Sequence, residues 1–222
     1  KTIDIDVAAA SVFTISNLTG SELIKITKGD ADSDVTPQLA TASGSSDSIS
    51  FEINDGHGSS TDIDAGLDLN TADIETVNIK IASSAESLDL SGLSMTTSGE
   101  VMTLKLTGDK ALTASATNAD ITTIDASGMS TGGSFIQTGR SATATVNYTG
   151  SAGDDTFIMT KSGDVIAAGD GTGDTLDIDL AAILGGLHVD LTSTTDQVVT
   201  FNGSGNTGTV TGFENVDASG YT

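Results

Sequence analysis

Three short units within residues 150–178 constrain the fold of this chain more than any other feature of its sequence. In each unit an aspartate follows a glycine or a second aspartate and precedes a large apolar residue by two positions. The aspartates are spaced nine and then ten residues apart, and the pairs are Asp155 with Phe157, Asp164 with Ile166, and Asp174 with Leu176. This pattern approximates the nonapeptide repeat of a parallel β-roll, in which a glycine-rich turn leads into a short strand.

The spacing also predicts where the aspartates lie and what they bind. About two nonapeptides complete one coil of a β-roll, so Asp155 and Asp174 are expected on one edge and Asp164 on the opposite edge. Turn glycines allow positive φ, which lets carbonyl oxygens point at an ion, and calcium prefers such oxygens together with carboxylates. The pattern therefore predicts bound calcium, with these ligand residues: Asp155, Asp164, Asp174, Asp154, Asp170, Gly153, Gly171 and Gly173.

The three units are degenerate. Ser151 occupies the second glycine position of the first unit, and Thr172 occupies the fourth position of the third unit. Few ions are therefore expected to bind. The alternative interpretation is that the Gly-Asp pairs are ordinary turns between strands, since both residues favour turns.

Residues 150–180 resemble the repeats-in-toxin (RTX) proteins. Residues 211–220, Thr-Gly-Phe-Glu-Asn-Val-Asp-Ala-Ser-Gly, resemble the segments that follow such repeats in bacterial surface-layer (S-layer) proteins and large secreted adhesins. The resemblance implies export without a cleaved N-terminal signal and calcium-dependent assembly at the cell surface. The implied partners are other copies of the same chain, with cell-surface polysaccharide as a second candidate.

The charge of the chain excludes some partners and favours others. The sequence has 31 acidic against 8 basic residues, giving a formal net charge of −23. Nucleic acid and anionic lipid would be repelled by such a chain, and its compaction requires cations that screen the carboxylates. The sequence contains no run of about 18 apolar residues, which is the length that would predict a membrane span. Cysteine is absent, which excludes disulfides and thiolate metal ligands.

Apolar residues alternate with Thr, Ser and Asp along most of the chain, for example in residues 49–53 and 77–81. This period of two predicts short strands with one buried face. Related segments at 72–79, 119–128 and 212–220 indicate a repeated unit of strand and turn, as in a solenoid. We therefore predict an all-β, largely parallel β-solenoid, with an antiparallel sandwich as the alternative for the first part.

The expected organisation has three parts. Residues 1–54 are the first rungs of the solenoid or the end of another unit, and the polar, Gly-rich residues 55–71 are a connecting loop. Residues 72–222 form the continuous solenoid, which contains the calcium-type turns at 150–178.

Two further acidic clusters are weaker candidates for calcium. Asp30, Asp32 and Asp34 alternate as at the start of an EF-hand loop, but Val35 and Thr41 stand where that loop needs Gly and Glu. The EF-hand is therefore rejected, and a simpler loop site stays open. The second cluster surrounds a glycine and consists of Asp62, Asp64 and Asp68.

No catalytic motif is recognisable in the sequence. The two histidines, His57 and His188, lie outside any zinc or nucleophile motif. We therefore expect a protein that is not an enzyme. The resemblance to RTX and S-layer proteins implies a calcium-stabilised, secreted structural protein of the bacterial cell surface and a component of an S-layer lattice. The alternatives are a module of a secreted RTX-type adhesin and the C-terminal calcium roll of a secreted hydrolase.

Overall fold

The computed structural model describes residues 1–6, 12–28, 34–54, 67–69, 71–82, 86–90, 92–95, 100–116, 119–140, 143–178 and 185–219. All the regular elements in these ranges are β-strands. Within the same ranges the search for a helix long and apolar enough to cross a membrane finds none.

The strands are short and are distributed evenly along the chain. They are β1 (Thr2–Asp6), β2 (Val12–Leu18), β3 (Leu23–Lys28), β4 (Asp34–Leu39), β5 (Ser48–Ile53), β6 (Leu67–Leu69), β7 (Thr71–Ala72), β8 (Thr76–Ile81), β9 (Glu86–Asp89), β10 (Leu93–Ser94), β11 (Met102–Gly108), β12 (Leu112–Ala116), β13 (Ile121–Met129), β14 (Phe135–Arg140), β15 (Asn147–Thr149), β16 (Thr156–Met159), β17 (Val165–Ala167), β18 (Thr175–Ile178), β19 (His188–Val189), β20 (Val198–Phe201), β21 (Ser204–Gly205), β22 (Thr209–Thr211) and β23 (Asn215–Asp217).

Two parallel sheets contain most of these strands. Sheet A has the order β1-β3-β5-β8-β11-β13-β15-β17-β22, and sheet B has the order β2-β4-β6-β9-β12-β14-β16-β18-β23. The chain therefore alternates between the sheets, and one strand of each makes up one rung. Two small sheets complete the described structure: β7 with β10, and an antiparallel sheet of β19, β20 and β21. The predicted all-β, largely parallel β-solenoid is confirmed.

The described strands within the first 54 residues, β1 to β5, belong to the same solenoid. Strand β5 pairs directly with β8, with Ser48 opposite Thr76, so sheet A runs without interruption across the segment predicted as a connecting loop. Sheet B also continues through that segment, because β6 at Leu67–Leu69 pairs with β4 and β9. Residues 55–66 lie outside the described part of the chain. Strands β1 to β5 are therefore rungs of this solenoid, and no antiparallel sandwich occurs among the described strands.

Stacked apolar rows form the core between the sheets. In β5 and β8 every second residue points inward, and the register places Ile49 opposite Val77 and Phe51 opposite Ile79. These side chains are at most 1% exposed. Because successive residues of a strand point to opposite faces, the two-residue alternation in the sequence generates one continuous interior.

An aromatic cluster joins the two sheets beside the calcium-type turns. The ring of Phe157 in β16 lies 5.5 Å from Tyr148 in β15 of the opposite sheet, and 5.6 Å from Phe135 in β14. All three residues are at most 1% exposed. The tilted geometry adds to the stabilisation that comes from burial alone.

Substitution of Phe157 by Ala tests this packing. The removed ring leaves a cavity between the sheets, and the free energy of unfolding is expected to fall by about 3–5 kcal/mol. Urea denaturation followed by circular dichroism measures the change. Val165→Ala is the matched control, because Val165 lies in the neighbouring β17 and is 42% exposed. Equal, small effects of the two substitutions would contradict the described core.

Candidate metal-binding site

An acidic residue stands immediately before many strands of both sheets. In sheet A these residues are Glu22, Asp47, Glu75, Asp120 and Asp164, and in sheet B they are Asp155, Asp174 and Glu214. All strands of a parallel sheet begin at the same edge, so these residues stack along the solenoid. Many of the carboxylates of the protein are therefore gathered at two edges.

The sheet B carboxylates receive backbone hydrogen bonds from the preceding rung. The N–H of Phe135 donates to Asp155 Oδ1, and the N–H of Asp155 donates to Asp174 Oδ1 at 2.7 Å. The N–H of Asp174 in turn donates to Glu214 Oε2 at 3.0 Å. We call Asp155, Asp174 and Glu214 the carboxylate ladder. Each of its members ties the start of one strand to the start of the next.

The predicted placement of the three repeat aspartates is confirmed. Asp155 and Asp174 precede neighbouring strands of sheet B, whereas Asp164 precedes β17 of sheet A. The apolar residues two positions further on are fully buried, as the repeat pattern requires: Phe157, Ile166 and Leu176.

Asp164 is paired with a cation from the chain itself. The guanidinium of Arg140 donates to both carboxylate oxygens of Asp164, at 2.6 and 2.9 Å, and the two side chains are 1% and 0% exposed. Backbone N–H groups of Val146, Thr160 and Lys161 donate to the same carboxylate at 2.9–3.2 Å. Both oxygens of Asp164 are thus occupied by hydrogen-bond donors.

Arg140 also holds the surrounding backbone. Its Nη1 donates to the carbonyl of Ile158 at 3.0 Å, and its Nη2 donates to the carbonyl of Ala144 at 2.8 Å. The guanidinium carbon lies 5.8 Å from the centre of the Tyr148 ring, within cation–π range. This one side chain therefore links strands of both sheets to the turn that precedes β17.

Asp155 is satisfied by donors of its own turn. It is 1% exposed, and it accepts hydrogen bonds from the backbone N–H and the hydroxyl of Ser151 as well as from Phe135. The Ser151 hydroxyl, which replaces a repeat glycine, lies 3.1 Å from Asp155 Oδ1. Burial is the main cause that raises the pKa of the Asp155 carboxyl above its ordinary value.

Asp174 is the one repeat aspartate with an unsatisfied oxygen. Its side chain is 0% exposed, Oδ1 accepts the N–H of Asp155, and Oδ2 is buried without a hydrogen-bond partner. Burial, followed by the charges of Asp155, Glu214 and Asp154, raises the pKa of this carboxyl from 3.8 to about 6. Ionised Asp174 therefore opposes folding at neutral pH, because the raised pKa means that the folded state favours the protonated carboxyl.

The direction of the resulting pH dependence follows from this raised pKa. Protonated Asp174 is compatible with the fold, and below pH 4 the carboxyl is neutral in both the folded and the unfolded chain. As the pH rises through about 6, the folded protein must ionise a buried carboxyl, and the free energy of unfolding falls. A bound cation would reverse this effect, because it favours the ionised form.

Three oxygens converge beside Gly171. A methyl group on its α-carbon would lie 2.4 and 2.6 Å from the two carboxylate oxygens of Asp174, and 2.7 Å from the carbonyl oxygen of Gly153. A side chain at this position would collide with all three oxygens, so the turn requires glycine there. The arrangement brings a carboxylate and a backbone carbonyl together, which is the ligand chemistry that calcium prefers.

Asp154 adds a fourth carboxylate to this edge. Its Oδ1 accepts the N–H groups of Thr172 and Gly173 at 3.0 and 2.9 Å. Asp154 lies in the first turn, so these hydrogen bonds connect the first turn to the third. In the described ranges the ion pairs involve Lys25, Lys80, Lys110 and Arg140, and none of these contacts Asp154 or the carboxylate ladder. The two edges therefore differ: one holds an internal cation, and the other does not.

The remaining predicted ligands are dispersed. Asp170 is exposed, and Asp34 is half-buried at the start of β4, opposite Asp68 in the register. The side chain of Asp68 and residues Asp30, Asp32, Asp62, Asp64 and His57 lie outside the described residues. Among the residues that are described, no group of three or more His, Cys, Asp or Glu side chains has the geometry of a metal site.

Sequence reasoning missed two important residues, Arg140 and Glu214. Arg140 is the single arginine of a strongly acidic chain, which is a signal for a buried ion pair. Glu214 precedes Val216 by two positions, the same spacing of acid and apolar residue that marks Asp155 and Asp174.

Comparison of the chain with protein-family models, curated proteins and solved structures gives no match.

Removal of one partner tests the buried ion pair. Asp164→Asn leaves the Arg140 charge buried and uncompensated, and the free energy of unfolding is expected to fall by about 3–5 kcal/mol. Asp109→Asn is the matched control, because Asp109 forms an exposed ion pair with Lys110, whose loss changes stability by no more than about 1 kcal/mol. If Asp164→Asn lowered the free energy of unfolding no more than the control in urea denaturation, the ion pair would not stabilise the turn before β17.

Proposed function

We propose that this chain is a calcium-stabilised structural protein of the bacterial cell surface and a component of an S-layer lattice. The observation that carries the proposal is the buried Oδ2 of Asp174, which has no hydrogen-bond donor and lies on an edge of uncompensated carboxylates. The resemblance of residues 150–180 to RTX repeats, and of residues 211–220 to S-layer segments, supports the assignment to the cell surface.

The contrast between the two edges supports a cation at Asp174. A buried carboxylate requires hydrogen bonds or a counter-charge, and Asp164 has both because Arg140 reaches it. Asp174 has the same position in its repeat but accepts one backbone N–H and borders three other acidic groups. The missing positive charge would therefore come from solution.

Calcium fits the available ligands better than other common ions. The groups at this edge are carboxylate and backbone carbonyl oxygens, which exclude sites built on sulfur or imidazole. Calcium accepts a variable number of such oxygens, whereas magnesium requires a nearly ideal octahedron. Asp174 and the Gly153 carbonyl would hold the ion, and Asp155, Asp154 and Glu214 would supply negative charge around it.

Calcium binding would couple secretion to folding. The oxygens of Asp174 and Gly153 come from different rungs and meet only in the folded chain, so binding adds to the stability of the folded state. At a calcium concentration of 100 times the dissociation constant, the added stability is about 2.7 kcal/mol. A chain of net charge −23 would therefore be less stable where calcium is scarce, and it would gain stability after export.

Thermal unfolding in calcium and in chelator tests the proposal. Calcium at saturating concentration is expected to raise the Tm of the wild type at pH 7.5 by about 5–10 °C. Asp174→Asn removes both the ligand and the buried charge. This variant should melt at or above the wild-type temperature in chelator, because the cost of ionising Asp174 is gone, and should gain little from calcium.

Asp164→Asn is the matched control for this experiment. It should lower the Tm in both solutions and leave the calcium-induced shift intact, because Arg140 and not calcium neutralises Asp164. Electron microscopy of the same samples reports assembly, with ordered arrays expected in calcium and dispersed particles in chelator. Identical wild-type melting curves with calcium and with chelator would overturn the calcium proposal, and arrays that form equally in both solutions would overturn calcium-dependent assembly.

A further inference from the structure

A cleft of about 480 Å³ lies between two turns of the chain. One turn contains residues 160–163, shortly before β17, and the other joins β20 to β21. The second turn consists of Asn202 and Gly203, whose φ angles of 55° and 75° are those of a tight hairpin turn. Sites for small molecules have volumes of about 300–1,000 Å³, so the cleft is large enough for a small organic ligand.

Hydrogen bonds hold the cleft in shape. The carboxylate of Asp164 accepts two N–H groups of the first turn, at 3.1 and 2.9 Å. The carbonyl of Ser162 in the same turn accepts the N–H groups of Thr207 and Gly208, which follow β21, at 2.8 and 2.6 Å. The two sides of the cleft are therefore tied together, and a ligand does not have to order them when it binds.

Hydroxyl groups dominate the surface of the cleft. Five of the side chains that line it are hydroxyl-bearing: Thr145, Thr160, Ser162, Ser204 and Thr207. Thr160 is 3% exposed, and its hydroxyl is buried without a hydrogen-bond partner. Such a buried hydroxyl is unfavourable until it finds a partner. Because hydroxyls both donate and accept, this surface suits a ligand that is itself rich in hydroxyl groups.

The charge of the cleft is opposite to that of the chain. Lys161 lines it, and none of the other described residues that line it is charged. Lys161 takes part in none of the ion pairs of the described ranges. The nearby Asp164 is neutralised by Arg140. An ammonium group without a carboxylate partner, in a chain of net charge −23, favours a ligand that carries an anionic group.

We propose that this cleft binds a sugar that carries a carboxylate, that is, a uronic acid. The Lys161 ammonium pairs with the carboxylate, and the hydroxyl groups of the cleft bond to those of the sugar ring. A small inorganic anion would leave most of these hydroxyls unused, and a neutral sugar would leave Lys161 unpaired. The inference goes beyond the proposed function, because it concerns a different site and a different ligand.

Titration of 15N-labelled protein with three small probes tests the ligand class. The probes are glucuronate, glucose, which lacks the carboxylate, and acetate, which lacks the ring hydroxyls. Glucuronate is expected to shift the amide resonances of residues 160–163 and 202–208 and to bind about tenfold more tightly than glucose or acetate, because one charged hydrogen bond is worth about that factor. Acetate that binds as tightly as glucuronate would show a site for adventitious anions only and would overturn the proposal.

Two substitutions separate the cation from the hydroxyls. Lys161→Gln is expected to weaken glucuronate binding about tenfold and to leave glucose binding unchanged. Lys110→Gln is the matched control, because Lys110 forms an exposed ion pair with Asp109 and does not line the cleft. Thr160→Val keeps the shape of the side chain, so it is expected to weaken the binding of both sugars about threefold without lowering the Tm. Wild-type affinity for glucuronate in either cleft variant would overturn the proposal, and thermal unfolding verifies that each variant is folded.

Discussion

Buried carboxylates at the starts of strands are the constraint on which this solenoid depends. Parallel rungs leave the first backbone N–H groups of each strand at a common edge, and acidic side chains from the next rung accept them. The same stacking that satisfies these donors brings negative charges together in a low-dielectric setting. One edge has an internal counter-charge, the guanidinium of Arg140, and the proposal assigns a cation from solution to the other.

The three calcium-type turns show different ways to stabilise one geometry. In the first turn the hydroxyl of Ser151 donates to Asp155, and in the second turn Arg140 neutralises Asp164. Asp174 in the third turn has neither kind of partner for its Oδ2. In two of the three turns a side chain of the protein therefore satisfies the repeat aspartate. The third turn has one unsatisfied carboxylate oxygen, Asp174 Oδ2, and this is the place where the proposed function puts an external cation.

The fold could be predicted from the sequence because its determinants are local. Alternation of apolar residues over five or six positions defines each strand, and the nine- and ten-residue spacing of the aspartates places them on alternate edges. The ion pair could not be predicted in the same way. Arg140 and Asp164 lie 24 residues apart on different sheets, and only the register of the folded rungs brings them together. Strand β6 lies within residues 55–71, which were predicted as a connecting loop because that stretch is rich in Gly, Ser and Asp.

The most direct test is to measure the pKa of Asp174 with and without calcium. NMR of the carboxyl carbons in protein labelled at aspartate gives this value. We expect a value of about 6 in chelator, where burial and the neighbouring acids oppose ionisation, and a value below the ordinary 3.8 when calcium is bound. The Asp174→Asn variant identifies the resonance by its absence. A pKa of Asp174 that is the same in both solutions would contradict the claim that this edge requires an external cation.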